Sequence, residues 1–339
     1  MCRGGRMGGG TRQPLVRTFA SSSSKTWYEE KYERDFQRKK RKERVYTGRK
    51  DEDSLKVQRV QWYPGHIAKA ERLLKDRLKA VDVVLELRDA RIAFSTEHPE
   101  LASWAGNKPR ILVLNRVDMI SKYEFRKLES YFSSRGVEVV GTNGQTGQGV
   151  PKLVRRAVSV SSAVNERRAA KGLLPREVRA AVVGFPNVGK SAIINRLSAK
   201  KACESANTPG VTKQLRWIKA GEDLYVLDAP GVLPSSLEDQ TAAQNLAICN
   251  DIGKASYLES IIAGVFVERV KRLPKSRDIL AELERRYKIS AEEISGEEFV
   301  HALSDKLFNG HIETAGARIL RDYGKGSLGK FALELPPRG

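Results

Sequence analysis

Short apolar runs alternate with amphipathic stretches through the middle of the chain. Asp82 to Leu87 (DVVLEL), Arg110 to Asn115 (RILVLN), Val137 to Val140 (VEVV), Arg179 to Gly184 (RAAVVG) and Leu224 to Asp228 (LYVLD) read as buried strands. Lys69 to Ala80 and Lys190 to Ser198 carry helical spacing among them. Strands that are apolar throughout, with helices between, predict a parallel sheet covered on both faces. The pattern therefore gives an α/β domain over residues 61–240. Beyond about Thr241 the strand pattern stops, and stretches such as Ser276 to Tyr287 and Gly296 to Leu307 read as helices. A separate, small all-helical domain over residues 241–339 is the expectation. No internal repeat is visible. No apolar run approaches the ~20 residues that span a bilayer. The longest, Ile261 to Val267, meets charges at once.

Charge changes the picture at the N-terminus. The chain has 339 residues, 61 Lys+Arg against 41 Asp+Glu, and a net charge of +20. A polyanion is the first partner to consider, and nucleic acid the first polyanion. Residues 1–24 hold four arginines, many small and hydroxyl residues and no acid. That is the composition of an organelle transit peptide, with a plain disordered tail as the alternative. Composition does not separate plastid from mitochondrion, and Arg17-Thr18-Phe19-Ala20 would suit a mitochondrial cleavage site. Residues 25–60 form a basic arm. Ten of the twenty positions from Lys31 to Lys50 are Lys or Arg, with Trp27, Tyr28, Tyr32, Phe36 and Tyr46 nearby. Such an arm can neutralise phosphates and stack on unpaired bases, or it can be a solvated helix face. Cys2, Cys203 and Cys249 form no close pair, which argues against a disulfide scaffold or a zinc knuckle.

The candidate chemistry begins at Gly184 to Ser191, GFPNVGKS. It fits G-x-x-x-x-G-K-[ST], follows a predicted strand and opens a predicted helix. Gly184 and Gly189 let the loop wrap closely, so that amides around Asn187 and Val188 point at phosphate oxygens. Lys190 adds charge at the terminal phosphates, Ser191 offers a hydroxyl to Mg²⁺, and the helix adds its dipole. Asp228 to Gly231 (DAPG) ends the strand LYVLD. The Asp228 carboxylate can hold magnesium through water, and the Gly231 amide can sense the third phosphate. Thr212 in PGVT is the candidate for a second magnesium hydroxyl, with Thr208 the competitor.

A guanine reader needs a carboxylate that accepts from the ring N–H and the exocyclic amine. Asn115 to Asp118 (NRVD) follows the strand RILVL. Asp118 is placed to read guanine, and Asn115 to tie the base loop to the phosphate loop. Arg116 stands where Lys is usual, and its aliphatic stem can still cover the base. Thr142-Asn143-Gly144 follows the next strand, and its backbone amides could meet the guanine oxygen, although it is also an ordinary turn.

The base motif thus precedes the phosphate loop. In a parallel sheet all such loops lie at the C-terminal strand edge, so chain order can be permuted with the site preserved. This order, with WYPGHIAKAE (Trp62 to Glu71), RDAR (Arg88 to Arg91), NRVD, GFPNVGKS, PGVT and DAPG, resembles the circularly permuted GTPases that help assemble the large ribosomal subunit, the plant DAR GTPases among them. The resemblance covers roughly residues 57–337. It implies a circularly permuted P-loop GTPase domain followed by a helical RNA-binding domain. It also implies nucleotide-dependent binding of GTP or GDP and docking on a large-subunit precursor and its rRNA. It favours Thr212 over Thr208 and tilts the transit peptide toward the chloroplast stroma, with the mitochondrial matrix as the alternative.

Val232 stands where many small GTPases carry a glutamine that orients water. The resemblance implies that His66 does so here, stimulated by the ribosomal particle. Read alone, His66 is more readily a helix cap or an RNA contact. Asn187 resembles the asparagine that holds K⁺ in potassium-dependent relatives. RDAR reads as holding the loops in place, with RNA contact as the alternative. Arg318, Arg321 and Lys325 fall at helical spacing and form either a phosphate-binding face or a solvated edge. A monomeric switch is the simplest assembly. Two functions compete: a GTPase assembly factor, and an rRNA-binding scaffold in which nucleotide only sets conformation.

Overall fold

A computed structural model describes residues 67–198, 216–228 and 239–337. His66, Thr208, Thr212, Gly231 and Val232 lie outside the described residues, as do residues 1–24 and the basic arm.

The chain order is α1 Ile67–Leu78, β1 Val83–Asp89, α2 Leu101–Ala105, β2 Arg110–Asn115, α3 Lys122–Ser133, β3 Glu138–Thr142, α4 Val150–Val158, α5 Ser161–Ala169, β4 Val178–Gly184 and α6 Lys190–Leu197. Then come β5 Arg216–Lys219, β6 Leu224–Asp228, α7 Gln240–Ile248, α8 Glu259–Lys271, α9 Ser276–Tyr287, α10 Gly296–Leu307 and α11 Ile312–Gly324. The strand order is β3-β2-β1-β4-β6-β5. Five strands run parallel, as expected, and they are the five read from the apolar runs. The sixth, β5, is antiparallel to β6 at the edge and departs from the expected all-parallel sheet. Trp217, Ile218 and Lys219 are exposed, buried and exposed in turn, the habit of a half-exposed edge strand and not of a buried parallel one.

β1 shows why the sheet sits where it does. All seven residues are buried. Val83, Leu85 and Leu87 enter one apolar cluster and Val84 another on the opposite face. Each fully buried aliphatic side chain contributes about 1.5–3 kcal/mol. The same face as Val84 carries Glu86 and Arg88, paired at 2.6 Å. The main cluster continues from the sheet through Ala243 and Leu246 of α7 into Phe266, Phe299 and Tyr323 of α8, α10 and α11.

Local signals set the helix ends. Ser121 and Ser295 open α3 and α10 with capping boxes closed by Glu124 and Glu298. Asp239 caps α7, accepting from the amides of Thr241 at 2.7 Å and Ala242 at 3.2 Å.

A candidate nucleotide site at the sheet edge

Parallel pairing brings Gly184, Asp89, Asn115, Thr142 and Asp228 to one edge. Asn115 lies in register with Asp89 on one side and Thr142 on the other. Asp228 lies in register with Val182 of β4. The expected loops therefore converge at the carboxyl ends of the strands.

The phosphate loop joins β4 to α6. Its Gly189 has φ 100°, and a Cβ there would overlap the Asn115 side-chain nitrogen. Glycine is required by both conformation and space. Asn187 also has positive φ, 58°. Lys190 opens α6, nearly buried, and its ammonium donates to the carbonyls of Gly184 at 3.1 Å and Phe185 at 2.6 Å. Burial pulls its pKa down to about 8, against the opposing charges of Asp228 and Asp251. A phosphate arriving there would raise the pKa again and favour the charged lysine further. Ser191 follows in the first turn, and Asp228 is buried at the end of β6.

Asn115 performs the expected tie. Its Nδ2 donates to the Val188 carbonyl at 2.8 Å, and its Oδ1 accepts from the Gly144 amide at 3.0 Å and the Thr142 hydroxyl at 3.2 Å. One buried amide thus joins three loops. Asp118 lies in the 3-10 turn Val117–Met119 and is half-buried, open to a ligand. Two details differ from expectation. The amides of Asn143 and Gly144 do not face outward for a guanine oxygen: they donate to the Gln148 carbonyl at 2.9 Å and to Asn115. Backbone donors in a buried turn need partners, and the turn supplies them internally. Asn143 shapes that turn by accepting from the amides of Gln145 and Thr146. Arg116, read only for the stem that can cover the base, turns its guanidinium to the phosphate loop. Its Nη2 donates to the Asn187 carbonyl at 2.6 Å and its Nη1 to Asp89 at 2.6 Å.

RDAR has the structural role expected of it. Arg91 forks onto Asp89 at 3.0 and 2.7 Å, fully buried, and reaches the Cys249 carbonyl at 3.3 Å. Burial opposes ionisation of Asp89, but Arg91 and Arg116 outweigh it and hold the carboxyl well below the usual range. Arg88 pairs with Glu86 and Glu97.

Sequence reasoning missed Asn250 and Asp251, which follow α7. The Asn187 side chain donates to the Asn250 carbonyl at 2.8 Å. Arg116 Nη1 lies 3.4 Å from Asp251. Burial pushes the Asp251 carboxyl up to about 7, with Arg116 opposing and Asp89 adding to the rise. Asn250 at φ 60° was the available signal, a helix end closed by a left-handed asparagine. It marks a turn and says nothing of the site.

The three residues proposed for RNA sit on or just after α11. Arg318 donates to Asp322 at 2.8 Å, beside Arg286 at 2.6 Å and the Tyr287 hydroxyl at 2.9 Å. Arg321 and Lys325 are exposed. The structure therefore brings the nucleotide residues together and leaves these three on a different element.

An open sheet with this loop, this base motif and Asp228 at one edge, in permuted chain order, defines a circularly permuted P-loop GTPase. Residues 179–289 match the family model described as 50S ribosome-binding GTPase. Ribosome biogenesis GTPase A of Bacillus cereus is 34% identical over 285 residues, covering 82% of this chain and 94% of that one. The chain belongs to the ribosome biogenesis GTPase A family. Short integuments 2, mitochondrial, of Arabidopsis thaliana is 32% identical over 224 residues, 62% of this chain and 56% of that one. The GNP-bound structure of YlqF from T. maritima aligns with TM-score 0.52 and 26% identity, over 79% of this chain and 98% of that chain.

Proposed function

We propose that this GTPase is an assembly factor for the large ribosomal subunit of an organelle, binding rRNA in a manner set by GTP or GDP. The observation that carries the nucleotide part is Asn115, whose one side chain joins the base motif, the following loop and the phosphate loop. Guanine selection rests on Asp118. A carboxylate accepts both guanine donors, and adenine would leave it unpaired. The relatives' names, ribosome biogenesis GTPase A and a 50S-binding domain, support the large subunit.

Magnesium suits the donors present. Among the described residues no three of His, Cys, Asp or Glu converge as a metal cage. Mg²⁺ on a nucleotide needs little protein, since phosphates and water supply most ligands. Ser191 would hold it directly, Asp228 through water, and Thr212 would complete the set. Bound there, Mg²⁺ would neutralise charge on the β- and γ-phosphates. Lys190 would orient the same oxygens. Asn187 as a potassium ligand and His66 as the water-orienting residue belong to this reading, as does release of the third phosphate through Gly231. The C-terminal helices, residues 241–339, would be the RNA-binding domain, with Arg321 and Lys325 free to meet phosphate and Arg318 first having to leave Asp322.

The Arg-rich, acid-poor N-terminal 24 residues support an organelle. The chloroplast stroma is the first reading. The mitochondrial name of the Arabidopsis relative favours the matrix as a second. A monomer serves either.

The test is GTP hydrolysis by the full chain with and without purified organellar large subunits, in potassium and then sodium buffer. Stimulation by the particle is expected, greater in potassium. Equal rates in both salts would remove the potassium role. Binding to the particle without any hydrolysis would favour a nucleotide-gated rRNA scaffold.

A further inference from the structure

Asp251 lies outside the phosphate, magnesium and base motifs, yet it is fully buried and its charge acts on Lys190. It stands in the loop after α7, downstream of the Asp228 segment. A carboxylate buried without compensation is costly, and its retention needs a partner. Arg116 is that partner at 3.4 Å, while Asp251 Oδ2 accepts no hydrogen bond among the described residues. Asp89 shares the same guanidinium.

The guanidinium therefore spans Asp89, Asp251 and the Asn187 carbonyl. Its planar fork suits this, and a lysine offers a single nitrogen. Asn187 is gripped twice: its carbonyl by Arg116, its side chain by the carbonyl of Asn250, the residue before Asp251. Its left-handed backbone is one that asparagine tolerates but that surrounding contacts must select.

We propose that Asp251 is a positioning residue for guanine-nucleotide binding. With Arg116 it holds Asn187, and through it the phosphate loop, in the binding shape. The same contacts fasten the start of the C-terminal helices to the nucleotide site. This rests on the GTP-binding reading above. Asp251 acts through Arg116 and touches neither the base motif's carboxylate nor the phosphate lysine directly. Its negative charge alone would oppose phosphate, so the positioning effect has to exceed that repulsion.

The test uses the full chain as wild type, Asp251→Asn, Arg116→Lys and the double variant. Titration with a fluorescent GDP and a fluorescent non-hydrolysable GTP analogue gives Kd, and steady-state hydrolysis gives KM and kcat. Thermal unfolding without nucleotide reports the fold. Each single change is expected to weaken binding about tenfold, and the double to be no weaker than the worse single, because both remove one contact. KM should rise more than kcat falls. Asp251→Asn should leave the unfolding midpoint level or higher, since an amide costs less to bury than a carboxyl whose ionisation burial already resists. Unchanged or tighter binding by Asp251→Asn would overturn the proposal, as would losses that multiply in the double variant. A lowered melting temperature with unchanged Kd would show a merely structural role and overturn it too. Should Asp251→Asn fail to fold, unchanged Kd in Arg116→Lys overturns it alone. If the wild type binds no guanine nucleotide, the GTP reading falls and this one with it.

Discussion

Asn115 and Asp118 stand three residues apart and do different physical work. Asn115 is buried, and both ends of its amide are used within the protein. Asp118 is half-buried and available to a ligand. Asp118→Asn should therefore exchange one base for another without unfolding the site. An amide in place of the carboxylate can donate to the 2-oxo group of xanthine, and it no longer accepts both guanine donors. GTP affinity should fall by about 10²-fold or more, and XTP affinity should rise, read by competition against a fluorescent nucleotide. An unchanged preference for GTP would remove Asp118 as the base reader. Arg116 teaches the opposite lesson. Its stem suggested a cover for the base and gave no sign that Nη1 and Nη2 would reach the Asn187 carbonyl and the carboxylates of Asp89 and Asp251 in charge-assisted bonds.

Among the elements, the C-terminal helices pack closely because two glycines meet. At Gly296, the first residue of α10, a Cβ would overlap the Gly264 carbonyl oxygen in α8 and lie 2.8 Å from its carbon. A Cβ on Gly264 would meet the Gly296 carbonyl carbon only at 3.3 Å. Gly296→Ala is expected to destabilise by about 1–3 kcal/mol, as overpacking of backbone does. Gly264→Ala should cost less, because its neighbour has only to shift by a few tenths of an ångström. Urea midpoints would compare them, and equal midpoints would show that α8 and α10 separate freely. Such a contact is invisible in composition: Gly296 follows a capping serine and reads as a helix start. The edge strand β5 escaped notice for a related reason. Four residues with one exposed tryptophan carry too short a pattern to separate from a loop.

At the scale of the molecule, the last residues return to the sheet. Leu333 donates its amide to the Arg91 carbonyl at 2.8 Å, and Ala332 donates to Glu124 at 3.3 Å. Glu334 accepts from the amides of Phe94 at 2.9 Å and Ser95 at 3.0 Å, from the Ser95 hydroxyl, and from Asn245 Nδ2 at 2.7 Å. The tail thus latches the loop after β1 to α7. Glu334→Gln replaces one acceptor oxygen with an NH₂ that faces donors. It should destabilise by about 1–3 kcal/mol in urea titration, the range for a buried donor left unmet. Unchanged stability would show that the latch is open in solution.

The sequence by itself determined the five parallel strands, their helices and the identity of the phosphate and base loops. It could do so because these features are local: apolar runs, glycine spacing, and a lysine and serine at a helix start. The permuted order was legible too, since strand-end loops converge whatever their order in the chain. Only the tertiary structure decided what the buried charges do. Asp89, Arg91, Arg116 and Asp251 come from three distant segments, and the buried Asp89, Arg91 and Asp251 are compensated by one another and by the half-buried Arg116. Pairing of that kind depends on where chains meet in space, and no spacing along one chain encodes it.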